Sequence, residues 1–316
     1  MEPANIFEIT LHRGHCLGTC PVFRFTASRQ YGYSYEGRAH VEPTGTRVGR
    51  FPFYLFDRLA EVCLDQNVGH VVLAGGLPPR EVMQQLKGRG AKVLCFAPSL
   101  ALAKKLIRSG ADGLVIEGME AGGHIGPVST SVLAQEILPF VDEVPVFVAG
   151  GIGHGEMIAA YLRMGAAGVQ MGTAFVCAEE STAHPAFKQA FVRAAARDAV
   201  PSVQVDPEFK VIPVRAIANS ATRRFTETQI EVIGRFRRGE LSHEQASLAI
   251  EHFWAGALRK AVVEGDVEQG SLMAGQSVGL VRKIQPTAAI LADLLGQAES
   301  ALERCDHPAS SARPAA

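Results

Sequence analysis

A histidine in a glycine-rich stretch, residues 118–126 (GMEAGGHIG), is the most reactive feature of the sequence. An imidazole can take up or release a proton near neutral pH, which suits general acid or base catalysis. The glycines beside His124 indicate a backbone that approaches a ligand closely. Although a lone loop histidine is more often a solvated residue than a catalyst, we predict that His124 is catalytic because the stretch follows a buried strand. Glu117 and Glu120 are predicted to hold or orient this loop.

Two further glycine-bearing segments end neighbouring apolar runs: Ala149-Gly150-Gly151 and Met171-Gly172-Thr173. In parallel barrels the loops after the last two strands often bind phosphate through backbone N–H groups. A side chain would block the anion there, and the next helix N-terminus adds a favourable dipole. Each segment alone could be only a turn, but the pair on consecutive units favours a phosphate-bearing ligand.

The elements that position these groups begin near residue 52. Apolar runs alternate with segments of helical spacing, as expected for a parallel sheet with right-handed crossovers. The five predicted strands lie within residues 70–76, 92–99, 113–116, 145–153 and 167–175. Helices are predicted at 131–140, at 179–197 and, as a pair joined at 237–242, within 226–260. Phe96 and Pro98 predict an apolar pocket floor.

Residues 1–51 have a different pattern, in which apolar and polar residues alternate in four short runs separated by turn residues. This pattern predicts a small antiparallel β segment. Its Cys16 and Cys20 form a single CxxxC pair, which is weak evidence for a metal that wants four ligands, and we expect no metal site. The sequence therefore divides into 1–51, an α/β domain at 52–300 and a disordered tail at 301–316.

The composition is that of an ordinary globular protein, with 316 residues, 47% hydrophobic, 20% charged and a formal net charge of −1. No charge excess indicates a nucleic acid or an anionic membrane as partner. Without a run of about 18 apolar residues, no membrane segment is predicted, and we expect a cytoplasmic protein. The six scattered cysteines fit reduced thiols.

From about residue 68 to 295 the chain resembles the flavin-dependent nitronate monooxygenase (2-nitropropane dioxygenase) family, which includes FMN-dependent enoyl-ACP reductases. The motifs that carry the resemblance lie at 118–126, 146–155, 165–175, 184–185 (His-Pro) and 270–280 (GSLMAGQSVGL). The N-terminal segment resembles a small β-rich bacterial domain of unknown function.

The resemblance implies a TIM barrel that binds FMN without a covalent bond, with His124 as base beside the flavin. Its phosphate would be held at Gly150, Gly151, Gly172 and Thr173, beside Ala149 and Met171. Gly122 and Gly123 would line the flavin side of the histidine loop. The remaining implied cofactor contacts come from a late loop that closes over the site: Met273, Ala274, Gly275 and Gln276.

The family's opening motif and its first three strand–helix units have no counterpart here, since five strands are found where a closed barrel has eight. We therefore predict a TIM-barrel-like parallel (β/α) fold that lacks its first three units and follows an antiparallel β segment, which could cover an open sheet edge.

The function expected from the resemblance is oxidation of alkyl nitronates with O2, with FMN as cofactor. One alternative is an enoyl-ACP reductase that uses FMN and NAD(P)H; a second is a non-catalytic partial barrel that keeps a phosphate-binding face. A third, another phosphate-binding barrel enzyme, is disfavoured by residues 273–276 (MAGQ). The expected partner is a small substrate, a nitronate or an enoyl thioester; the sequence leaves a homodimer open.

Overall fold

The computed structural model describes residues 5–14, 22–31, 60–61, 63–65, 68–74, 77–211, 213–254 and 256–306. Of residues 5–14 and 22–31 it describes the backbone alone. Its centre is a curved seven-stranded sheet, with the strands in the order β2 (Val22–Tyr31), β1 (Asn5–Gly14), β8 (Gly168–Met171), β7 (Val146–Ala149), β5 (Gly113–Glu117), β4 (Lys92–Phe96) and β3 (His70–Leu73). A second sheet has three strands, in the order β6 (Gly123–His124), β10 (Val214–Ile217) and β9 (Ala199–Pro201).

Five neighbouring strands of the large sheet run parallel, as the sequence predicts. They are β3 (His70–Leu73), β4 (Lys92–Phe96), β5 (Gly113–Glu117), β7 (Val146–Ala149) and β8 (Gly168–Met171). The apolar side chains of the three central strands are mostly buried, and Leu114, Ile116 and Val148 are completely buried. This burial explains why the strands read as near-continuous apolar runs.

Helices connect the parallel strands and cover one face of the sheet. Those of the barrel-like part are α1 (Arg80–Gly88), α2 (Leu100–Arg108), α3 (Thr130–Ile137), α4 (Gly155–Arg163) and α5 (Thr173–Val176). The polypeptide continues through α6 (Pro185–Arg193), α7 (Ser220–Arg237), α8 (His243–His252), α9 (Ala257–Val262) and α10 (Thr287–Asp306). Short 3-10 helices lie at Leu138–Phe140, Ala196–Asp198 and Gln276–Leu280.

An antiparallel hairpin of β1 (Asn5–Gly14) and β2 (Val22–Tyr31) extends the sheet beyond β8. The middle of β1 pairs with β8, with Ile9 opposite Met171 and His12 opposite Gly168. One edge of the partial barrel is therefore covered by strand addition, as the sequence allowed. Cys16, Cys20 and the two later predicted β runs lie outside the described residues.

The second sheet joins β6 (Gly123–His124), β9 (Ala199–Pro201) and β10 (Val214–Ile217), and it begins in the histidine loop. Buried apolar side chains form three clusters: the large core of the parallel sheet, a second around Phe187 and Phe191, and a third around Phe225 on α7 and α8.

Several predicted boundaries differ from the structure; the first helix of the pair expected within 226–260 already begins at Ser220. The helix expected at 179–197 begins at Pro185, because proline suits the first helical position and the His184 ring accepts a hydrogen bond from the Ala186 N–H (3.1 Å). The last helix continues to Asp306, so residues 301–306 are helical and not part of a disordered tail. Among the described helices, none is both long and apolar enough to span a bilayer.

Candidate functional site

A cavity of about 630 Å³ opens at the carboxyl ends of the parallel strands. It collects residues from the loops after all five strands, the position where parallel α/β folds bind ligands. Ten of the thirteen residues predicted as site residues line it: His124, Gly122, Gly123, Ala149, Gly150, Gly151, Met171, Gly172, Thr173 and Met273.

The histidine loop, defined as residues 118–124, is anchored where it leaves β5. The Gly118 N–H donates to the Ala149 carbonyl (3.2 Å), and the Met119 N–H donates to the Val128 carbonyl (2.8 Å). A Cβ atom on Gly118 would lie 2.0 Å from the Thr130 hydroxyl oxygen, so only glycine fits there. The start of the loop is therefore fixed by backbone contacts rather than by its own side chains.

Glu120 ties the histidine loop to the start of α3. Its Oε2 atom accepts hydrogen bonds from the Thr130 N–H (2.8 Å) and from the Thr130 hydroxyl (2.9 Å). The same buried hydroxyl lies 3.1 Å from the Gly150 carbonyl oxygen, so one side chain contacts the loops after β5 and β7. The predicted loop-holding role of Glu120 is confirmed.

His124 is held by its backbone and exposed at its side chain. It pairs with Val214 across the small sheet, Gly123 pairs with Arg215, and the Ile125 N–H donates to the Pro213 carbonyl (3.0 Å). Gly123 has a φ of +80°, a conformation that favours glycine. The loop therefore turns at Gly123 and presents the imidazole at the cavity.

The loops after β7 and β8 have the features of a phosphate cradle. Gly150 and Gly151 have φ values of +92° and +74°, and a Cβ atom on either would lie 3.0 Å from the histidine loop. Within the described part of the chain, the N–H groups of Gly151, Gly172 and Thr173 donate to no backbone carbonyl outside the regular helices and strands. A Cβ atom on Gly172 would meet open space, as expected where a ligand group fits.

The late loop lies mostly behind the site. Met273 lines the cavity, but Ala274, Gly275 and Gln276 do not. The Gly275 N–H donates to the Thr173 hydroxyl (3.0 Å), and the Gln276 N–H donates to the Glu120 carbonyl (2.9 Å). These three residues support the histidine loop and Thr173 from behind, whereas the resemblance implied that they close over the cofactor.

The remaining walls of the cavity are mainly apolar. Phe96 and Pro98 form the predicted floor, and a second apolar flank comes from residues that the sequence reading did not select: Phe175, Val176, Ala183, Phe187, Leu258 and Val262. Ser181 and Thr182 add hydroxyl groups to this flank, and Glu117 also lines the cavity. Apolar walls with a few convergent polar groups are typical of small-molecule sites.

Sequence reasoning also missed Arg215 and Thr130, two buried polar residues in contact with the histidine loop. Their motif context gave no signal, because a single arginine in a strand or a single threonine at a helix start is usually exposed. Only the arrangement in three dimensions shows what they touch.

Most of this chain matches known proteins. The family model for nitronate monooxygenase matches residues 35–297. A hydroxy-methyl-oxo-octahydro-indene-carboxyl-CoA dehydrogenase of Rhodococcus jostii is 31% identical over 72% of this chain and 70% of its own length. A nitronate monooxygenase of Paraburkholderia phytofirmans is 30% identical over 77% of this chain and 64% of its own length.

Among solved structures, FabK from Thermotoga maritima shares 37% identity with a TM-score of 0.69, covering 79% of this chain and 74% of that protein. The chain thus spans about two thirds of the length of the two curated relatives. The similar proteins share the barrel architecture, of which the five parallel strands here are a part.

Proposed function

Because the chain belongs to the nitronate monooxygenase family, we propose that it is an FMN-dependent oxidoreductase that oxidises alkyl nitronates with O2. The observation that carries this proposal is the meeting of His124 and two glycine loops in one cavity. The loops offer backbone N–H donors for a phosphate, and the histidine offers a base within the same site.

The residues present fit the phosphate end of FMN. Gly150, Gly151, Gly172 and Thr173 would hold the phosphate through their N–H groups, with the Thr173 hydroxyl proton as a further donor. When bound, FMN supplies the electron-transfer chemistry, which no protein side chain in the cavity provides.

The protein's own part of the reaction is proton transfer and substrate placement. A neutral nitroalkane must lose its α-proton before it becomes a nitronate, and His124 is the exposed base at the cavity. A nitronate added as the anion has already lost that proton and needs no base. Apolar walls at Phe96 and Phe187 would hold the alkyl chain and exclude water from it.

The test is reconstitution of the purified protein with FMN, followed by O2 consumption with a nitronate and with the parent nitroalkane. We expect bound FMN to be released on denaturation, and His124→Ala to abolish turnover of the nitroalkane while keeping most turnover of the nitronate. His252→Ala, on the exposed end of α8, is the matched control and should behave as wild type. A protein that cannot bind FMN would contradict the proposal and favour a non-catalytic partial barrel.

A second candidate is an enoyl thioester reductase that uses NAD(P)H, favoured by the likeness to FabK and by the two apolar flanks of the cavity. The same preparation separates the candidates. Oxidation of NADH that depends on a crotonyl thioester, without O2 consumption on nitronates, would select the reductase.

A further inference from the structure

We propose that Arg215 is a positioning residue for His124, holding the histidine loop at both of its ends. The proposal rests on the proposed function, because it gives Arg215 a role in proton transfer to His124. Arg215 lies on β10, outside the parallel sheet, and does not line the cavity.

The contacts of Arg215 reach the start and the end of the loop. Its Nε donates to the Met119 carbonyl (2.9 Å), at the start. Its backbone pairs with Gly123, next to His124, at the end. Its Nη1 donates to the Ala199 carbonyl (2.6 Å) on β9, which anchors the guanidinium to the other side of the small sheet.

The electrostatics also favour a fixed loop. Arg215 is only 2% exposed, and burial lowers the pKa of its guanidinium, while the negative charge of Glu120 opposes that shift. A buried cation is retained only where acceptors and an opposite charge compensate its lost hydration. Here the histidine loop supplies one acceptor, the Met119 carbonyl, and the opposite charge, Glu120. The second acceptor is the Ala199 carbonyl on β9.

Loss of the guanidinium would take this donor from the buried Ala199 carbonyl and the part-buried Met119 carbonyl, and would leave Glu120 without its nearby cation. The loop between Met119 and His124 would then relax and move the imidazole. A base misplaced by about 1 Å costs on the order of 100-fold in rate. Turnover of a preformed nitronate, which needs no base, would change little.

The experiment compares Arg215→Met and Arg215→Lys with Arg223→Met, a control at an exposed arginine near the start of α7. For FMN-reconstituted proteins, kcat/KM is measured with nitroethane and with its preformed nitronate. We expect Arg215→Met to lower the nitroethane value on the order of 100-fold and the nitronate value little. Arg215→Lys, whose ammonium can reach one of the two carbonyls, should be intermediate, and Arg223→Met should match wild type.

Hydrogen exchange of the amides in residues 119–125 provides a readout that is independent of turnover. Faster exchange there in the Arg215 variants, with unchanged exchange in α1 and α2, supports the positioning role. An equal loss with both substrates, no loss with either, or unchanged loop exchange overturns it. If Arg215→Met does not fold, the same comparisons are made with Arg215→Lys.

The proposed function fails separately, if wild-type protein with bound FMN turns over neither substrate. In that case the exchange of residues 119–125 alone decides whether Arg215 holds the loop.

Discussion

Gly150 is a cavity residue whose backbone conformation and close neighbours favour glycine. Its φ of +92° excludes most side chains, and an added Cβ would lie 3.0 Å from the Gly118 carbonyl oxygen and 3.1 Å from the Thr130 hydroxyl. The site therefore depends on the absence of a side chain as much as on the presence of His124.

We predict that Gly150→Ala abolishes FMN binding and destabilises the fold, because the methyl group strains the backbone by about 1–2 kcal/mol and presses on the histidine loop. Gly165→Ala is the matched control, since Gly165 also has a positive φ (+101°) but has nothing within 4 Å of its added Cβ. Flavin fluorescence measures binding and thermal unfolding measures stability. Normal FMN affinity in Gly150→Ala would contradict the assignment of this loop.

Asp112 links α1 to the start of β4 and β5. Burial raises the pKa of this carboxyl, but the Val93 N–H and the Lys87 ammonium outweigh it and hold the pKa below the ordinary 3.8. Since the pKa is lower in the folded state than in the unfolded state, the stabilisation is present above pH 3.8 and is lost as the pH falls through the folded-state pKa.

We therefore expect Asp112→Asn to lower the Tm at pH 7. The difference in Tm between variant and wild type should disappear as the pH falls below 3.8. The Tm of both proteins is measured by thermal unfolding from about pH 2 to about pH 7, which covers the usual range of carboxylate titration. Asp142→Asn, at an exposed position, serves as control. A gap that stays constant at acid pH would show that the carboxylate charge is not the stabilising feature.

At the scale of elements, the histidine loop packs directly on the late loop. A Cβ atom on Gly122 would lie 2.6 Å from the backbone atoms of Ala274 and Gly275, which cannot swing away as a side chain could. The two loops therefore form one support for His124.

We predict that Gly122→Ala destabilises the protein by about 1–3 kcal/mol, as overpacking does, and weakens FMN binding by displacing the loop. Gly126→Ala, in the same segment but with nothing within 4 Å of its added Cβ, should be close to wild type. Urea unfolding and flavin titration measure both effects. Equal behaviour of the two variants would mean that the loops can separate without cost.

At the scale of the whole molecule, a ligand that binds only the folded state should stabilise the entire parallel sheet. At 100 times its dissociation constant, FMN should contribute about 2.7 kcal/mol, a rise in Tm on the order of 5 °C. Riboflavin, which lacks the phosphate, should raise the Tm far less at the same concentration. An equal shift with both compounds would argue against a phosphate cradle at Gly150 and Gly172.

Much of this architecture follows from the sequence. The five parallel strands were predictable because each apolar run is bounded by turn residues and followed by helical spacing. The close backbone approach at Gly122, Gly150 and Gly151 was predictable, because glycines cluster where a backbone turns sharply or lies close to another group.

Other features could not be predicted, for physical reasons. An alternating pattern predicts a strand but does not predict which other strand it pairs with, so the pairing of β1 with β8 could not be predicted. The burial of Arg215 depends on acceptors that are 16 and 96 residues away in the chain. Ala274, Gly275 and Gln276 look like ligand contacts in a motif, yet they face the back of the loop they support.

The three separate apolar clusters have a consequence for how this protein can evolve. The cluster of Phe225, Ile233 and Ile250 shares no buried residue with the large core beneath the parallel strands. Substitutions in clusters without shared partners have additive effects on stability. Variation in α7 and α8 therefore adds its own cost in stability but leaves the packing beneath the loops after β7 and β8 unchanged, so we expect sequences to diverge more in this helical part than at the strand ends.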